Sequence, residues 1–433
     1  MPQVVTSFSY FAAKSSKSGN GWLPVWMHAS DTAIVIEHLC RTWLPLRTLS
    51  FLQLHGVLDV LSLAKFLAYV HDIGKITNAF QVKISHAIPG LSLDLTDKGV
   101  SLCEQNLSGQ ISHATAGEVL LLRMGIPSEI ASIVGAHHGC PSSVLVDANW
   151  MTFFGYDFSG HPDNKSVKNA WLMAQGNFVK WALQESGLTL KTLPKPDVEA
   201  QIVLTGLVIA ADWISSNSWL FPTISCGTYG SSVNYDMRKQ RALDRLKMPS
   251  RLESLGLDFD EETFKETFGF SMNEVQRMVF DAVRQSDDIG LMILEAPMGV
   301  GKTEAALTAA NVLMDGNLSC GGLYFGLPTQ ATANGIFPRL KSWAETKCVF
   351  DSQTIALAHG NAFLNVDYQA VRKSNSDFVD SDGMLMRHEL FGRSKLALLS
   401  DFVVGTIDQL LVAGLKQKHF MLRHLGLQCR KVH

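Results

Sequence analysis

The sequence has no Cys-x-x-Cys pair: Cys40, Cys103, Cys140, Cys226, Cys320, Cys348 and Cys429 stand singly and far apart. An odd, dispersed set argues against a thiolate zinc site and against a disulfide framework, and leaves reduced thiols as the expectation. No apolar run reaches the ~18 residues of a membrane span. The N-terminus MPQVVTSFSYFAAK lacks the basic start and apolar middle of a secretory signal. The expected location is therefore cytoplasmic. A charge surplus is missing as well, since 37 Lys and Arg face 40 Asp and Glu for a net charge of −3. Without a global basic field, any nucleic-acid binding has to use local patches or backbone donors. Internal repeats and low-complexity tracts are also absent.

What is present has two textures. At 433 residues the chain has room for two or three domains. Apolar segments of helical period occupy 32–44, 57–70, 116–125, 129–138, 168–186 and 201–216, while period-2 strands are scarce before residue 280. Residues 14–21, KSSKSGNG, read as a loop. A turn-rich stretch at 221–235, a charged helix candidate DMRKQRALDRLK and an acidic segment lead to a domain boundary near residue 250. Beyond it, short apolar runs at 290–296, 321–329, 353–360 and 401–406 alternate with helix candidates. That alternation predicts a parallel α/β sheet.

The second half carries a phosphate-binding signature. LEAPMGVGKTEAAL contains Ala296-x-x-Gly299-x-Gly301-Lys302-Thr303 between an apolar strand candidate and an Ala-rich helix candidate. Glycines let backbone N–H groups close around a phosphate chain, and the helix N-terminus adds positive potential. Lys302 would reach the β- and γ-phosphates and Thr303 would hold Mg²⁺. With Ala first and Pro297 next, the motif resembles the form found in superfamily 2 helicases. Gln276 stands upstream where that superfamily places an adenine-reading Gln. LPTQATANG (327–335) and VGTIDQLL (404–411) resemble later motifs. By that resemblance Thr329 and Thr406 would donate to phosphates of single-stranded nucleic acid.

The first half carries a series of imidazoles and carboxylates. His28 stands in WMHASDTA, His71 and Asp72 in HDIGK, His113 in SHATAGE, His137 and His138 in AHHG, and Asp212 in AADWISS. Each lies at or near the end of a predicted apolar helix, with Ala, Gly or Ser beside most of them. Any one of them alone reads equally as a capping or surface residue; the ordered set reads as a metal site. Neutral imidazole and carboxylate suit borderline transition metals. The two oxygens of Asp72 could bridge two ions, and a two-metal site would clamp both the attacking and the leaving oxygen of a phosphodiester. Lys75 follows His71 by four residues and Asp72 by three, on one face, where it could steady a phosphate or compensate the helix dipole. The remaining histidines, including His38, His55 and His161, lack such company and read as structural or surface residues.

Together, an HD-type metal domain followed by a superfamily 2 helicase start resembles the CRISPR-associated nuclease–helicase of type I systems, most closely subtype I-E. AKSSKSG, WLPVWMHASDTA, HDIGK, HAT, AHHG, ADWI, EAPMGVGKTEAAL, LPTQATANG, LAHGN and VGTIDQLLVAGLKQKHFMLRHLGL stand in that family's order. The resemblance implies a mostly α-helical HD nuclease domain over 1–250 and an incomplete α/β RecA-like P-loop helicase domain over 251–433. It implies one or two divalent transition metals (Mn, Ni, Co or Fe) held by His28, His71, Asp72, His113, His137, His138 and Asp212, with His71, Asp72 and Lys75 as the catalytic residues. ATP and Mg²⁺ would serve the helicase domain through Gln276, Gly299, Gly301, Lys302 and Thr303. Such a protein moves 3′ to 5′ on single-stranded DNA and is recruited to an R-loop by Cascade, the crRNA-guided surveillance complex. The other readings are an HD phosphohydrolase acting on nucleotides and an inactive remnant that only binds Cascade or DNA.

The departure from the family comes after RHLGL, where QCRKVH replaces a run into a DExH box. The 433 residues hold no DExH acid for the nucleotide's Mg²⁺ and no second RecA-like domain with an arginine finger. Phosphoryl transfer depends on positioning those groups. A sheet short of central strands also exposes unpaired edges, so the second half is expected to be weakly folded by itself or completed by another polypeptide. The purified chain is expected to hydrolyse ATP negligibly and not to unwind DNA. Phosphate release that rises robustly on adding single-stranded DNA would overturn this.

Overall fold

The apolar helical periods become the framework of the first of two units. In the computed structural model the chain is described except at residues 1–6, 17, 18, 20, 143–144, 227–232, 247, 249, 253–258, 287–289, 316–320, 347–352, 372, 374–383, 389–395, 429–430 and 433. The sequence boundary near residue 250 and Cys320, Cys348 and Cys429 lie largely or wholly outside the described residues. Among the described residues, Cys40, Cys103, Cys140 and Cys226 form no disulfide with one another. The chain divides into one compact unit of residues 1–41, 51–246 and 415–424, and another of 42–50, 247–414 and 425–433.

The first unit opens with two strands, β1 (Ala12–Ser15) and β2 (Gly21–Pro24), where the sequence suggested only a loop. They pair antiparallel and set Lys14 opposite Leu23. Then come α1 (Val25–His38), α2 (Val60–Val70), α3 (Asn78–Ser85), α4 (His113–Arg123), α5 (Ser128–Ala136), α6 (Lys165–Ser186) and α7 (Val198–Ser215). Side-chain caps start several of them: Asp59 accepts from Ser62, Ser112 from Thr115 and Asp197 from Ala200. A two-residue strand, β3 (Ile224–Ser225), joins β2, and α8 (Tyr235–Leu246) follows.

Burial explains the arrangement. Helix α2 packs between α1, α6 and α7, and α4 packs on α5. Leu63, Phe66, Leu67 and Val70 of α2 are buried. An aromatic group lies beside them, with Phe8 edge-on to Phe178 at 5.2 Å and Tyr69 edge-on to Trp181 at 4.9 Å. Each such side chain contributes about 1.5–3 kcal/mol on burial. Helix α7 is long and apolar enough to cross a membrane by composition, yet most of it is buried against α1, α2 and α5, as a core helix is.

The second unit contains α9 (Glu261–Phe268), α10 (Glu274–Arg284), α11 (Lys302–Asp315) and α12 (Gln330–Glu345) with strands β4 (Leu323–Leu327), β5 (Gln353–Ala358), β6 (Leu385–Met386), β7 (Phe402–Thr406) and β8 (Lys431–Val432). The sheet is parallel in the order β6-β5-β7-β4-β8. Fully buried strands and near-continuous apolar runs are what a helix-covered parallel sheet demands. Three of the four predicted runs are strands. The exception is 290–296, which has no strand: Leu291 is 89% and Ile293 74% exposed, and no described strand pairs with the segment. Apolar sequence without a ladder partner leaves the backbone groups unpaired, so extended chain is not held as a strand.

One buried ion pair braces the helix that carries His28. Asp31, fully buried in α1, accepts from Arg238 Nε at 2.8 Å and Nη2 at 2.7 Å and from Tyr235 Oη at 2.8 Å. Removing the guanidinium leaves a buried carboxylate without its counter-charge. Arg238→Ala is expected to cost about 3–5 kcal/mol, read as a lower urea midpoint for the first unit by tryptophan fluorescence, with Asp31→Asn/Arg238→Met recovering part of the loss.

Candidate metal centre and nucleotide loop

At the end of α2 the chain turns sharply, and the turn places the first three polar groups. His71 closes α2, Asp72 leaves the helical region, and Ile73–Lys75 make one 3-10 turn. Gly74 makes that turn possible, because a Cβ there would lie 1.8 Å from the carbonyl oxygen of His113. Only glycine lets the turn press against the start of α4. His28 comes from the first turns of α1, His113 from the first residue of α4, His137 and His138 from the end of α5 and Asp212 from the last turn of α7. All seven predicted ligands therefore meet.

They meet as two sets. His28, His71 and Asp212 form one, and Asp72, His113, His137 and His138 form the other; within each set the ligand atoms lie within 4.8 Å of one another. Asp72 faces both. Its Oδ2 is 3.3 Å from His28 Nε2 and 3.4 Å from His71 Nε2, and its Oδ1 is 3.5 Å from His113 Nε2 and 3.6 Å from His137 Nε2. Asp212 Oδ1 lies 3.1 Å from His28 Nε2 and 3.7 Å from His71 Nε2.

The imidazoles are oriented from behind. His71 Nδ1 donates to Ala68 O at 2.8 Å and His137 Nδ1 to Val134 O at 2.6 Å, so Nε2 of each points inward, buried and with no hydrogen-bond partner. A backbone carbonyl fixing one ring nitrogen while the other faces the site is the usual support of a metal-ligating histidine. His138 Nε2 and His113 Nε2 stand 2.5 Å apart, a separation that needs a proton or a cation between the lone pairs. Burial pushes these two down to about 3 for His113 and about 4 for His138, so both are neutral ligands at pH 7. Inward-facing Nε2 atoms, neutral imidazoles and two carboxylates fit one or two divalent transition ions.

Lys75 balances the carboxylate. Its Nζ lies 2.6 Å from Asp72 Oδ2, and the side chain is buried over the Phe80 ring. Burial alone would raise the Asp72 pKa, but Lys75 and His71 outweigh it and hold the carboxyl well below its usual range. Three buried amides, which the sequence did not single out, hold the turn and the loops near it. Gln81 donates to Lys75 O at 2.7 Å, Gln175 to Ile76 O at 2.8 Å, and Asn78 to Cys103 O and Tyr156 O. Their only sequence signal was polarity within apolar helical runs. His55, read as a surface residue, pairs with exposed Asp197 at 2.6 Å.

The nucleotide-loop residues gather in the second unit. Gly299 and Gly301 adopt φ of +84° and +77°, the left-handed region that favours glycine. Lys302 Nζ donates back into its own loop, to Ala296 O at 2.6 Å and Pro297 O at 3.1 Å. Gln276 is buried, shares a capping box with Asn273 and reaches Gly301 O at 3.4 Å. Thr303 lies in the first turn of α11. Thr329 caps α12, and Thr406 ends β7 in register with Leu327 at the end of β4, so both lie at the carboxyl edge of adjacent parallel strands. That edge is where open α/β sheets bind ligands.

Comparison with known proteins follows the same division. Residues 13–221 match the family described as Cas3, HD domain. The CRISPR-associated nuclease/helicase Cas3 of Streptococcus thermophilus is 36% identical over 96% of this chain and 47% of its own length. The CRISPR-associated endonuclease/helicase Cas3 of Thermus thermophilus is 29% identical over 96% of this chain and 45% of its own. The crystal structure of T. fusca Cas3 with ATP superposes with a TM-score of 0.73 at 26% identity, covering 98% of this chain and 46% of that one. The chain spans about half the length of the curated relatives it matches.

A proton competes with a cation for the first set. Burial works to lower His71, but Asp72 and Asp212 outweigh it and lift it to about 9. This is above the ordinary 6.5, so the stability it contributes to the metal-free protein is full below pH 6.5 and lost as the pH rises through 9. Ligation requires the neutral ring. Titrating Mn²⁺ into the protein at pH 7 is therefore expected to release about one proton from His71, seen by calorimetry as an enthalpy that depends on the buffer's ionisation enthalpy. The release fades as the pH passes 9.

Proposed function

We propose that the chain is a Cas3-type protein, as its match to the Cas3 HD domain over residues 13–221 supports, and that it is a metal-dependent nuclease that cuts single-stranded DNA in CRISPR interference. The observation that supports this reading most is the placement of Asp72, with one oxygen toward each of two separate histidine groups. His28, His71 and Asp212 would hold one divalent ion, His113, His137 and His138 a second, and Asp72 would span them. When bound, such ions supply Lewis acidity toward a phosphodiester oxygen and lower the pKa of water. The chain's own groups prepare that chemistry. Backbone acceptors behind His71 and His137 keep their Nε2 lone pairs available, and Lys75 holds Asp72 oriented while offering an ammonium to a substrate phosphate. His28, His71, Asp72 and His137 are buried, whereas His113 and His138 reach solvent.

The proposed division is a nuclease domain over 1–250 and a helicase-type domain over 251–433. In the second, Gln276, Gly299, Gly301, Lys302 and Thr303 are assigned to ATP and Mg²⁺, with Lys302 leaving its carbonyl partners for phosphate. Thr329 and Thr406 are assigned to the backbone of the DNA strand, and Cascade is the proposed partner that presents that strand in an R-loop.

With Mn²⁺, Ni²⁺ or Co²⁺, the protein is expected to nick circular single-stranded DNA, and His71→Ala/Asp72→Ala to lower the rate by at least about 10²-fold, the scale of losing metal ligation. Hydrolysis of nucleotides without DNA cutting would favour the phosphohydrolase reading. No hydrolysis of either would sink the nuclease assignment.

A further inference from the structure

A second ammonium faces the metal centre, from the stretch AKSSKSG, to which the sequence assigned no role. Lys14 belongs to β1, which is tied to the same turn that carries Asp72 and Lys75. The buried Gln81 amide accepts from Ala12 N at 3.1 Å, donates to Ala12 O at 2.9 Å, and donates to Lys75 O at 2.7 Å. One residue earlier, Phe11 O accepts from Val25 N at 2.8 Å at the start of α1, three residues before His28. The backbone of Lys14 is thus fixed relative to ligands of both sets.

The side chain reaches the first set. Its Nζ donates to Ser216 Oγ and lies 4.0 Å from Asp212 Oδ1. Ser216 Oγ in turn donates to the same Asp212 oxygen at 3.0 Å. Lys14 and Lys75 differ in one decisive respect: the Lys14 side chain is 28% exposed and that of Lys75 9%. Lys75 is the interior counter-charge of Asp72, whereas Lys14 meets solvent beside His28, His71 and Asp212. A divalent ion held by Asp212 would neutralise the carboxylate that attracts Lys14, while β1 keeps the Lys14 backbone in place and Ser216 still accepts from its ammonium. A solvent-reaching ammonium held by Ser216 beside such a site is suited to binding a phosphate.

We propose that Lys14, oriented by Ser216, binds a backbone phosphate of single-stranded DNA next to the phosphodiester being cut. The proposal rests on the nuclease reading of this site. Lys14 is neither a metal ligand nor a participant in bond breaking. Its contribution is to place the strand, so it belongs to KM rather than kcat.

The test uses the full chain with Mn²⁺ and single-stranded DNA, comparing wild type, Lys14→Gln and Lys14→Arg. Lys14→Gln is expected to raise KM about tenfold, the scale of one charge-assisted hydrogen bond, with kcat within about twofold. Lys14→Arg restores most of the loss. Against log salt concentration, the slope of log KM is expected to flatten by about 0.7 in Lys14→Gln, as for one lost phosphate contact on a single strand. Mn²⁺ uptake by equilibrium dialysis is expected to be unchanged. A fall in Mn²⁺ uptake that accounts for the activity loss would make Lys14 a support of Asp212 and overturn the proposal. So would a loss confined to kcat, or no change in an active enzyme. If wild type does not cut DNA at all, the nuclease reading itself fails, and the proposal with it.

Discussion

A carboxylate at 2% exposure is tolerable only if compensating charge surrounds it, and Asp72 is such a carboxylate. Lys75 supplies a cation at 2.6 Å, and four imidazole nitrogens stand within 3.6 Å of its two oxygens. The rest of the first unit can be understood as what it takes to bring those partners, and Asp212 beside them, from five helices to one place. Helices α1, α2, α4, α5 and α7 each deliver a group near an end.

Convergence at that spacing needs backbone in close contact, and two devices provide it. Small residues remove bulk: Gly74 admits the carbonyl of His113, and Gly117 lies against Val134 where α4 meets α5. Buried amides replace secondary structure where the chain leaves it. Gln81, Gln175 and Asn78 together satisfy backbone groups of the turn and of the strand and loops around it. A turn buried without such partners would leave N–H and C=O groups unpaired at a cost of about 1–3 kcal/mol each. Lys14 is a by-product of the same clamp, since the Gln81 amide that holds the turn also holds the strand bearing it.

The second unit follows a different logic. Its sheet is parallel and covered, and its polar residues of interest are collected where strands end and helices begin. The phosphate loop is satisfied internally: Lys302 bonds the carbonyls of Ala296 and Pro297, and Asn273 and Gln276 bond Val300 and Gly301. A loop whose lysine is held by neutral carbonyls would lose little if an anion replaced them, as the proposed nucleotide binding requires.

Local rules determined much of this protein from the sequence alone. The 3.6-residue period marked most of the ligand-bearing helices, the apolar runs at 321–329, 353–360 and 401–406 marked three strands, and the residue types of the ligand series followed from coordination chemistry. Period and composition are properties of neighbouring residues, so they can be read in one dimension. Tertiary structure decided the remainder. The grouping of seven ligands into two sets about Asp72, the inward Nε2 of His71 and His137, the support by Gln81 and Gln175, and the reach of Lys14 to Asp212 across nearly two hundred residues all depend on which helix faces meet. The segment 290–296 shows the same limit from the other side. Its apolar sequence favours a strand, but a strand exists only where a second backbone pairs with it, and pairing is not a local property.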